Sequence, residues 1–247
     1  MIGSHGFWGP VRIAKKMHKM TLPAIALFAC IYSFAILFAG VTVWFALRTL
    51  PLDSFREIAM IASFLICFVF YMILAQRVLI GMRPLPFGEI EQRTHTEFTY
   101  FVHTLFFLFI FNPLIETSLV PIPLRKVLYV LLGAQIGKNS FPSGVLTDPA
   151  FVKMGKNSIV GLQALVVPHV IEGDRLAFYP IEIGNNVTIR AQSMIMAGAQ
   201  IKDGAIIGAQ ALITKGTVVG ENEIWVGTPA RMVGKRGGQT QTSSGCP

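Results

Sequence analysis

The apolar positions of this chain follow two different rhythms. In the first half they form unbroken runs. Between Lys19 and Arg48 stand 28 residues without a charge, including AIALFACIYSFAILFAGVTVWFAL, and Ile58 to Gln76 adds 19 more between Glu57 and Arg77. About 20 apolar residues cross the hydrocarbon core of a bilayer, so the runs predict spanning helices over about 22–47 and 58–80. The first run is too long for the apolar stretch of a secretory signal and lacks a small-residue cleavage site. A third run, Phe98 to Ile115, carries His103 and ends in Asn112-Pro113. Proline removes a backbone donor, so the segment over about 98–120 reads either as re-entrant or as a third crossing.

In the second half the rhythm is short and regular. Every sixth residue from Ile183 is aliphatic or aromatic: Ile183, Ile189, Ile195, Ile201, Ile207, Ile213, Val219 and Trp225. Two positions before the next member come Val187, Ser193, Ala199, Ala205, Ala211 and Thr217, nearly all small. An aliphatic residue pointing into a narrow core, with a small residue where the chain turns, is the hexad of a parallel β-helix; three hexads make one coil. Eight consecutive hits on one register argue against a two-layer α/β domain with scattered apolar residues. The same period runs upstream in another frame through Met154, Val160 and Val166, with Ser158 and Ala164 at the small position. Ile136 fits that frame; Pro142 and Asp148 do not, which predicts an irregular first coil. From Val166 to Ile183 the step is 17 residues instead of six, so an 11-residue insertion containing PHVIEGDRLAFYP leaves the helix there.

The fold class is therefore mixed, an N-terminal α-helical membrane domain followed by a parallel β-helix of hexapeptide repeats. The expected domains are a basic N-terminus (1–21), the membrane domain (22–126), the β-helix (127–236) and a small, polar, disordered tail (237–247). Lys+Arg exceed Asp+Glu by eight. In a membrane protein such an excess marks cytoplasmic loops, and no basic cluster interleaved with aromatics points to nucleic acid. Arg12, Lys15, Lys16 and Lys19 before the first run, and Arg77, Arg83 and Arg93 after the second, place the N-terminus and the second loop in the cytoplasm. Three cysteines are too few for a disulfide framework.

The IGNNVTI-type hexads, the loop with His169 before PIEIG, the IIGAQALITKG stretch and the closing WVGTPARMVGK resemble the hexapeptide-repeat, left-handed β-helix acyltransferases, over roughly residues 133 to 236. Within that superfamily the likeness is to the galactoside, maltose and exopolysaccharide O-acetyltransferases; the fused membrane helices are similar to those of its multi-helix membrane relatives. The resemblance implies left-handed coils, a homotrimer with active sites in the clefts between neighbouring β-helices, and acetyl-CoA or a related acyl-CoA as co-substrate, with no permanently bound cofactor or metal. The implied partners are the lipid bilayer, the acyl-CoA and an acceptor the sequence does not identify, with a lipid-linked or amphiphilic glycan type expected. Because coenzyme A thioesters are cytoplasmic, the β-helix is expected on the cytoplasmic face of an inner or plasma membrane, and the third apolar run is expected not to cross.

Acyl transfer needs a base for the acceptor's proton and donors for the thioester oxyanion. His169 is the only histidine of the β-helix half, and in the family the catalytic histidine stands in this position before a P-I-x-I-G segment. Its neutral imidazole can take a proton near pH 7. Glu172 is expected to orient the ring, with Asp174 as the alternative; Asp174 is equally a substrate-binding candidate. Asp148, in LTDPAF, falls near the family's acidic acceptor-binding position, or else caps a turn before proline. For the thioester the resemblance points to Ala197-Gly198, Gly208-Ala209, Thr214-Lys215 and Arg231, where basic side chains could meet phosphates. The chain departs from the family at Val187-Thr188-Ile189-Arg190, where many members read V-W-I-G. A γ-type carbonic anhydrase is excluded, because one histidine cannot supply three zinc ligands. A non-catalytic β-helix scaffold, and transfer of longer acyl chains from an acyl carrier protein, stand as alternatives.

Overall fold

In the computed structural model, residues 20–51, 53–91, 94–117, 120–172 and 175–237 are described. The basic N-terminus up to residue 19, the tail from residue 238 and Asp174 lie outside them. The chain divides into a helical unit (residues 19–86 and 90–119) and a repeat unit built from residue 120 onward, which also takes in residues 87–89.

The helical unit holds α1 (Leu22–Leu47), α2 (Arg56–Met82) and α3 (His95–Phe106). The charge-free runs predict the first two to within two residues at each end. Their outward faces are large and apolar: Phe34, Leu37 and Phe45 on α1, and Ile61, Ile66 and Phe70 on α2, are more than half exposed. Exposed apolar surface of this extent suits a lipid environment. Between the helices Phe28 meets Phe106 edge-on at 5.3 Å, and Tyr32 meets Phe68 at 5.2 Å. Gln76 and His103 are buried, with Nε2 of the first 3.1 Å from Nδ1 of the second.

The third segment continues beyond α3. A wider π-type turn, Phe107–Phe111, joins it to a short α4 (Asn112–Glu116). Pro113 explains the turn, since a residue without an N–H and with a bulky ring disrupts the regular ladder just before it. Three helical stretches, Leu22–Leu47, Arg56–Met82 and His95–Glu116, are long and apolar enough to cross a membrane.

The repeat unit is a parallel β-helix with three faces. Its first face stacks Gln135–Ile136, Val152–Met154, Ile181–Ile183, Gln200–Ile201 and Val218–Val219. The second stacks Phe141–Pro142, Ile159–Val160, Thr188–Ile189, Ile206–Ile207 and Glu223–Gly227; the third, Val145–Leu146, Leu165–Val167, Met194–Met196 and Leu212–Ile213. Register is parallel throughout these stacks, as in Ile183 opposite Ile201 and Ile201 opposite Val219, so one regular coil is 18 residues. Inward residues form fully buried ladders, among them Val160–Ile189–Ile207 and Val166–Ile195–Ile213. Each buried aliphatic side chain contributes about 1.5–3 kcal/mol, which makes the ladders the main source of stability.

The small corner positions have work beyond fitting. Ser140 Oγ donates to the Gly155 carbonyl (2.6 Å) and accepts from Ser158 N (3.0 Å); Ser158 repeats this one coil on, with Gly184 O and Val187 N. Buried turn groups are satisfied in this way without water. At another corner Gln163, Gln192 and Gln210 form an amide ladder, each with a positive φ near 58°.

One expectation about the first coil changes. Pro142 does occupy the inward position, buried and opposite Val160. It lies on the outermost strand of its sheet, where a missing donor interrupts no ladder. The third-face position is taken by Leu146 opposite Val166, not by Asp148. The repeat unit also begins earlier than residue 127: α5 (Ile122–Leu131) lies against the first coil. Arg125 Nη1 donates to Ser143 O (2.8 Å), Lys126 Nζ to Gly137 O (2.6 Å) and Tyr129 Oη to Gly144 O (2.8 Å), while Leu146 N donates to Tyr129 Oη (3.2 Å). These bonds satisfy carbonyls that would otherwise end the stack unpaired. Burial pushes the Tyr129 phenol up to about 12.

Candidate active site

The 11-residue insertion is a structured element. It leaves the corner after Leu165–Val167 and forms an antiparallel hairpin, His169–Glu172 paired with Arg175–Phe178. A third strand, Gly88–Ile90, pairs with Arg175–Phe178, and Glu89 Oε1 lies 2.6 Å from Arg175 Nη2. The hairpin rests on the next corner of the coil, where Val170, Ala177 and Ala197 form a buried cluster with Tyr179 against it.

His169 opens the hairpin. Its Nδ1 lies 2.6 Å from Oδ2 of Asp148, a carboxylate only 6% exposed. Thr147 Oγ1 donates to the same Oδ2 at 3.1 Å. An ionised carboxylate only accepts, so Nδ1 carries the proton of this bond, and in the neutral imidazole the lone pair falls on Nε2. The His169 side chain keeps 28% exposure. Phe178, opposite His169 in the hairpin register, meets the imidazole edge-on at 6.4 Å. Phe151 stacks on Phe178 at 4.4 Å, and Phe87 meets Phe151 edge-on at 5.7 Å. The imidazole is thus fixed by a carboxylate on one nitrogen and by an aromatic wall beside it.

The carboxylate beside the ring is therefore Asp148, where the sequence favours Glu172. Successive strand residues point to opposite faces, and residues three apart, such as His169 and Glu172, cannot share one. Glu172 faces the coil corner instead, where its Oε1 pairs with Lys215 Nζ. That contact also changes the view of Lys215. Its side chain is 7% exposed and committed to Glu172, which does not suit an open phosphate contact.

The remaining residues fall on two edges of the β-helix. Ala197, Gly198, Thr214 and Lys215 lie on the edge from which the hairpin springs. Gly216 N donates to Ala197 O (3.0 Å), Gly198 N to Tyr179 O (3.2 Å), and the Thr214 and Thr217 hydroxyls are 3.0 Å apart. Gly198 has φ +73°, the left-handed region that favours glycine. The next edge carries Gly208, Ala209 and Arg231. There Thr228 Oγ1 donates to Gln210 O (3.1 Å), and Arg231 is paired opposite Val226 in the closing hairpin. A Cβ on Gly208 would come within 2.7 Å of Val226 Cγ1. Within one chain, then, the predicted coenzyme residues do not converge on a single point.

Sequence reasoning overlooked Thr147, Phe151 and Phe178. One signal was available: Asp148 precedes His169 by 21 residues, close to a single coil of the repeat.

Known proteins share similarity with the repeat unit. Residues 180–215 match the family described as bacterial transferase hexapeptide (six repeats). Over 54 residues the chain is 46% identical to a chloramphenicol acetyltransferase of Morganella morganii, taking in 22% of this chain and 25% of that protein. Over 124 residues it is 28% identical to a delta-poly-L-ornithine synthetase of Acinetobacter baumannii, 48% of this chain and 9% of that one. The chain thus spans a quarter or less of the length of these curated relatives. Among solved structures, a galactoside acetyltransferase in complex with coenzyme A aligns with a TM-score of 0.45 at 18% identity, covering 60% of this chain and 86% of that one.

Proposed function

We propose that this protein is a membrane-bound acyltransferase, moving an acetyl or related acyl group from a coenzyme A thioester to a hydroxyl or amine of an amphiphilic acceptor. The observation that carries the proposal is the His169–Asp148 pair at 2.6 Å on the hairpin of a hexapeptide β-helix. Asp148 holds the proton on Nδ1 and keeps the ring oriented, and Nε2 accepts the acceptor's proton as its oxygen or nitrogen attacks the thioester carbon. The imidazolium returns that proton to the departing coenzyme A sulfur.

The active form is a homotrimer of left-handed coils, as the family resemblance implies. The outward side chains support such packing. Those of the second face are Phe141, Ile159, Thr188, Ile206 and Ile224, and those of the third are Val145, Leu165, Met194 and Leu212. The first face instead presents Gln135, Lys153, Glu182 and Gln200, with a Lys153–Glu182 ion pair at 3.4 Å, and ends in an exposed Val218. Two apolar faces and one polar face suit burial of two sides against neighbours. Packing of that kind brings the His169 edge of one protomer towards the Gly208–Arg231 edge of another, which gives the two separated groups of residues a common cleft.

The β-helix lies on the cytoplasmic side, with α1 and α2 as the crossing helices. A reporter fused after Pro247 is expected to be active in the cytoplasm; activity confined to the far side refutes this topology.

The test of the reaction uses the full chain, purified with its helices, radiolabelled acetyl-CoA and a total membrane lipid extract. Label transfer is expected to fall ~100- to 10,000-fold in His169→Ala, the range for loss of a general base. Equal transfer by both proteins would overturn the assignment.

A further inference from the structure

A cleft of about 830 Å³ runs between α1 and α2. Its walls are Leu27, Ile31, Phe34 and Phe38 from α1 and Leu74 and Val78 from α2. The two ends differ in kind. At one end stand Arg83, just past the last turn of α2, and His95, the first residue of α3. Both are exposed, and neither side chain has a hydrogen-bond or ion-pair partner among the described residues. At the other end Tyr71 closes the cleft, its ring 6.1 Å from that of Phe38 and its hydroxyl 2.8 Å from Thr42 Oγ1.

The dimensions match one half of a bilayer. Twelve residues separate Tyr71 from Arg83, which is about 18 Å of helix at 1.5 Å per residue, and one leaflet's share of a roughly 30 Å hydrocarbon core is about 15 Å. The arginines after α2 place the Arg83 end at the cytoplasmic face. The cleft therefore begins at headgroup level, with two cationic or protonatable side chains, and ends near the bilayer midplane at an aromatic stop. Basic pockets between transmembrane helices on the cytoplasmic side are suited to phosphate headgroups.

We infer that this cleft binds one anionic glycerophospholipid of the cytoplasmic leaflet, with an acyl chain between α1 and α2 and its phosphate against Arg83 and His95. The inference rests on the membrane reading and is independent of the acyl-transfer chemistry. Any bilayer lipid can fill an apolar slot, so selection by headgroup charge is what distinguishes a binding site from annular lipid.

The experiment uses the full chain, purified in detergent and exposed to phosphatidylglycerol or phosphatidylcholine of equal chain length, with bound lipid counted by native mass spectrometry. One phosphatidylglycerol per chain is expected to be retained at least tenfold more strongly than phosphatidylcholine. Arg83→Gln with His95→Gln is expected to abolish that preference, and Ala75→Trp to fill the cleft and displace the lipid while both cations remain. Arg48→Gln, at the far end of α1, is the control and should leave retention unchanged. Equal retention of the two lipids overturns the inference, as does insensitivity to the Arg83→Gln, His95→Gln pair. Preferential displacement by a polyprenyl phosphate overturns the phospholipid assignment. Membranes of expressing cells are also washed with alkaline carbonate: release of the chain sinks the membrane reading itself, so the two failures are told apart.

Discussion

Asp148 and His169 stand 21 residues apart in the chain, yet Oδ2 of the first lies 2.6 Å from Nδ1 of the second. One turn of the β-helix brings them together. The carboxylate is nearly buried and holds a second hydrogen bond from Thr147, so its position is fixed from two sides. Asp148→Asn should preserve shape while offering an N–H or a weaker acceptor to Nδ1, which permits the wrong tautomer. A loss of at least ~100-fold in kcat with little change in KM for acetyl-CoA is expected. Steady-state kinetics on the full chain checks this; a change confined to KM assigns Asp148 to substrate binding instead.

Glu172 provides the contrast. It faces away from the imidazole and pairs with Lys215, so Glu172→Gln should leave kcat within roughly threefold of the parent, while weakening the hairpin by about 1 kcal/mol through the neutralised partner of a mostly buried lysine. Parallel kinetics and thermal melts separate the two effects. A loss in kcat matching that of Asp148→Asn would return the orienting role to Glu172.

The aromatic wall beside the ring should act through orientation. Phe151→Leu removes the plate stacked at 4.4 Å on Phe178. The expected result is a destabilisation of about 1–2 kcal/mol together with a fall in kcat, because Phe178 loses the support that holds it against the imidazole. Unchanged kcat in a destabilised variant would restrict Phe151 to packing.

Alkaline titration reads the α5 cap. The Tyr129 phenol is raised by burial from its ordinary 10.0 to about 12. A raised folded-state value means that the neutral phenol is favoured by folding. Its contribution is fully present below pH 10 and lost as the pH climbs towards 12. Two pKa units correspond to roughly 2–3 kcal/mol. Tyr129→Phe should lack this loss, and should be less stable than the parent at pH 8 by about 1–2 kcal/mol for the missing bonds to Gly144 O and Leu146 N. Chemical denaturation across that range decides it.

At the opposite end of the stack the sign reverses. Glu223 is held below the ordinary carboxylate range by the Trp225 indole N–H and by the Gly220 backbone N–H. A depressed value contributes stability above the unfolded-state pKa, which disappears as the pH falls through the folded-state one. The parent should melt above Glu223→Gln at pH 7, and the gap should close as the pH drops below about 4. A gap that persists at acid pH would show that shape rather than charge matters there.

How much of this could be read in advance depended on range. α1 was legible to the residue because a charge-free run between Lys19 and Arg48 has one way to satisfy its backbone in lipid. The ladder from Ile183 to Trp225 was legible because each inward residue meets its equivalent 18 positions away in a repeating frame. Pro142 was misjudged, since its fitness depends on lying at the edge of the stack, which no local pattern reveals. The hairpin read as a loop because two four-residue strands are too short to set a period. Asp148 was not paired with the ring for a related reason: proximity in sequence favoured Glu172, whereas the contact with the imidazole is made through one turn of the coil. The cap formed by α5 was hidden in IPLRKVLYVL, because Arg125, Lys126 and Tyr129 bond to carbonyls of the first coil that lie 11 to 18 residues further along the chain.

The strand Gly88–Ile90 sets a practical boundary on how the molecule can be divided. It comes from the stretch between α2 and α3, yet it borders the hairpin that carries His169. A soluble version trimmed to start at α5 would strip away Glu89 and Phe87 together, leaving Arg175–Phe178 as a raw edge open to a stranger's backbone and Phe151 bare on one side. Biochemists who discard the hydrophobic half for convenience would be handling a wounded protein, and its silence in an assay would say nothing about the intact one.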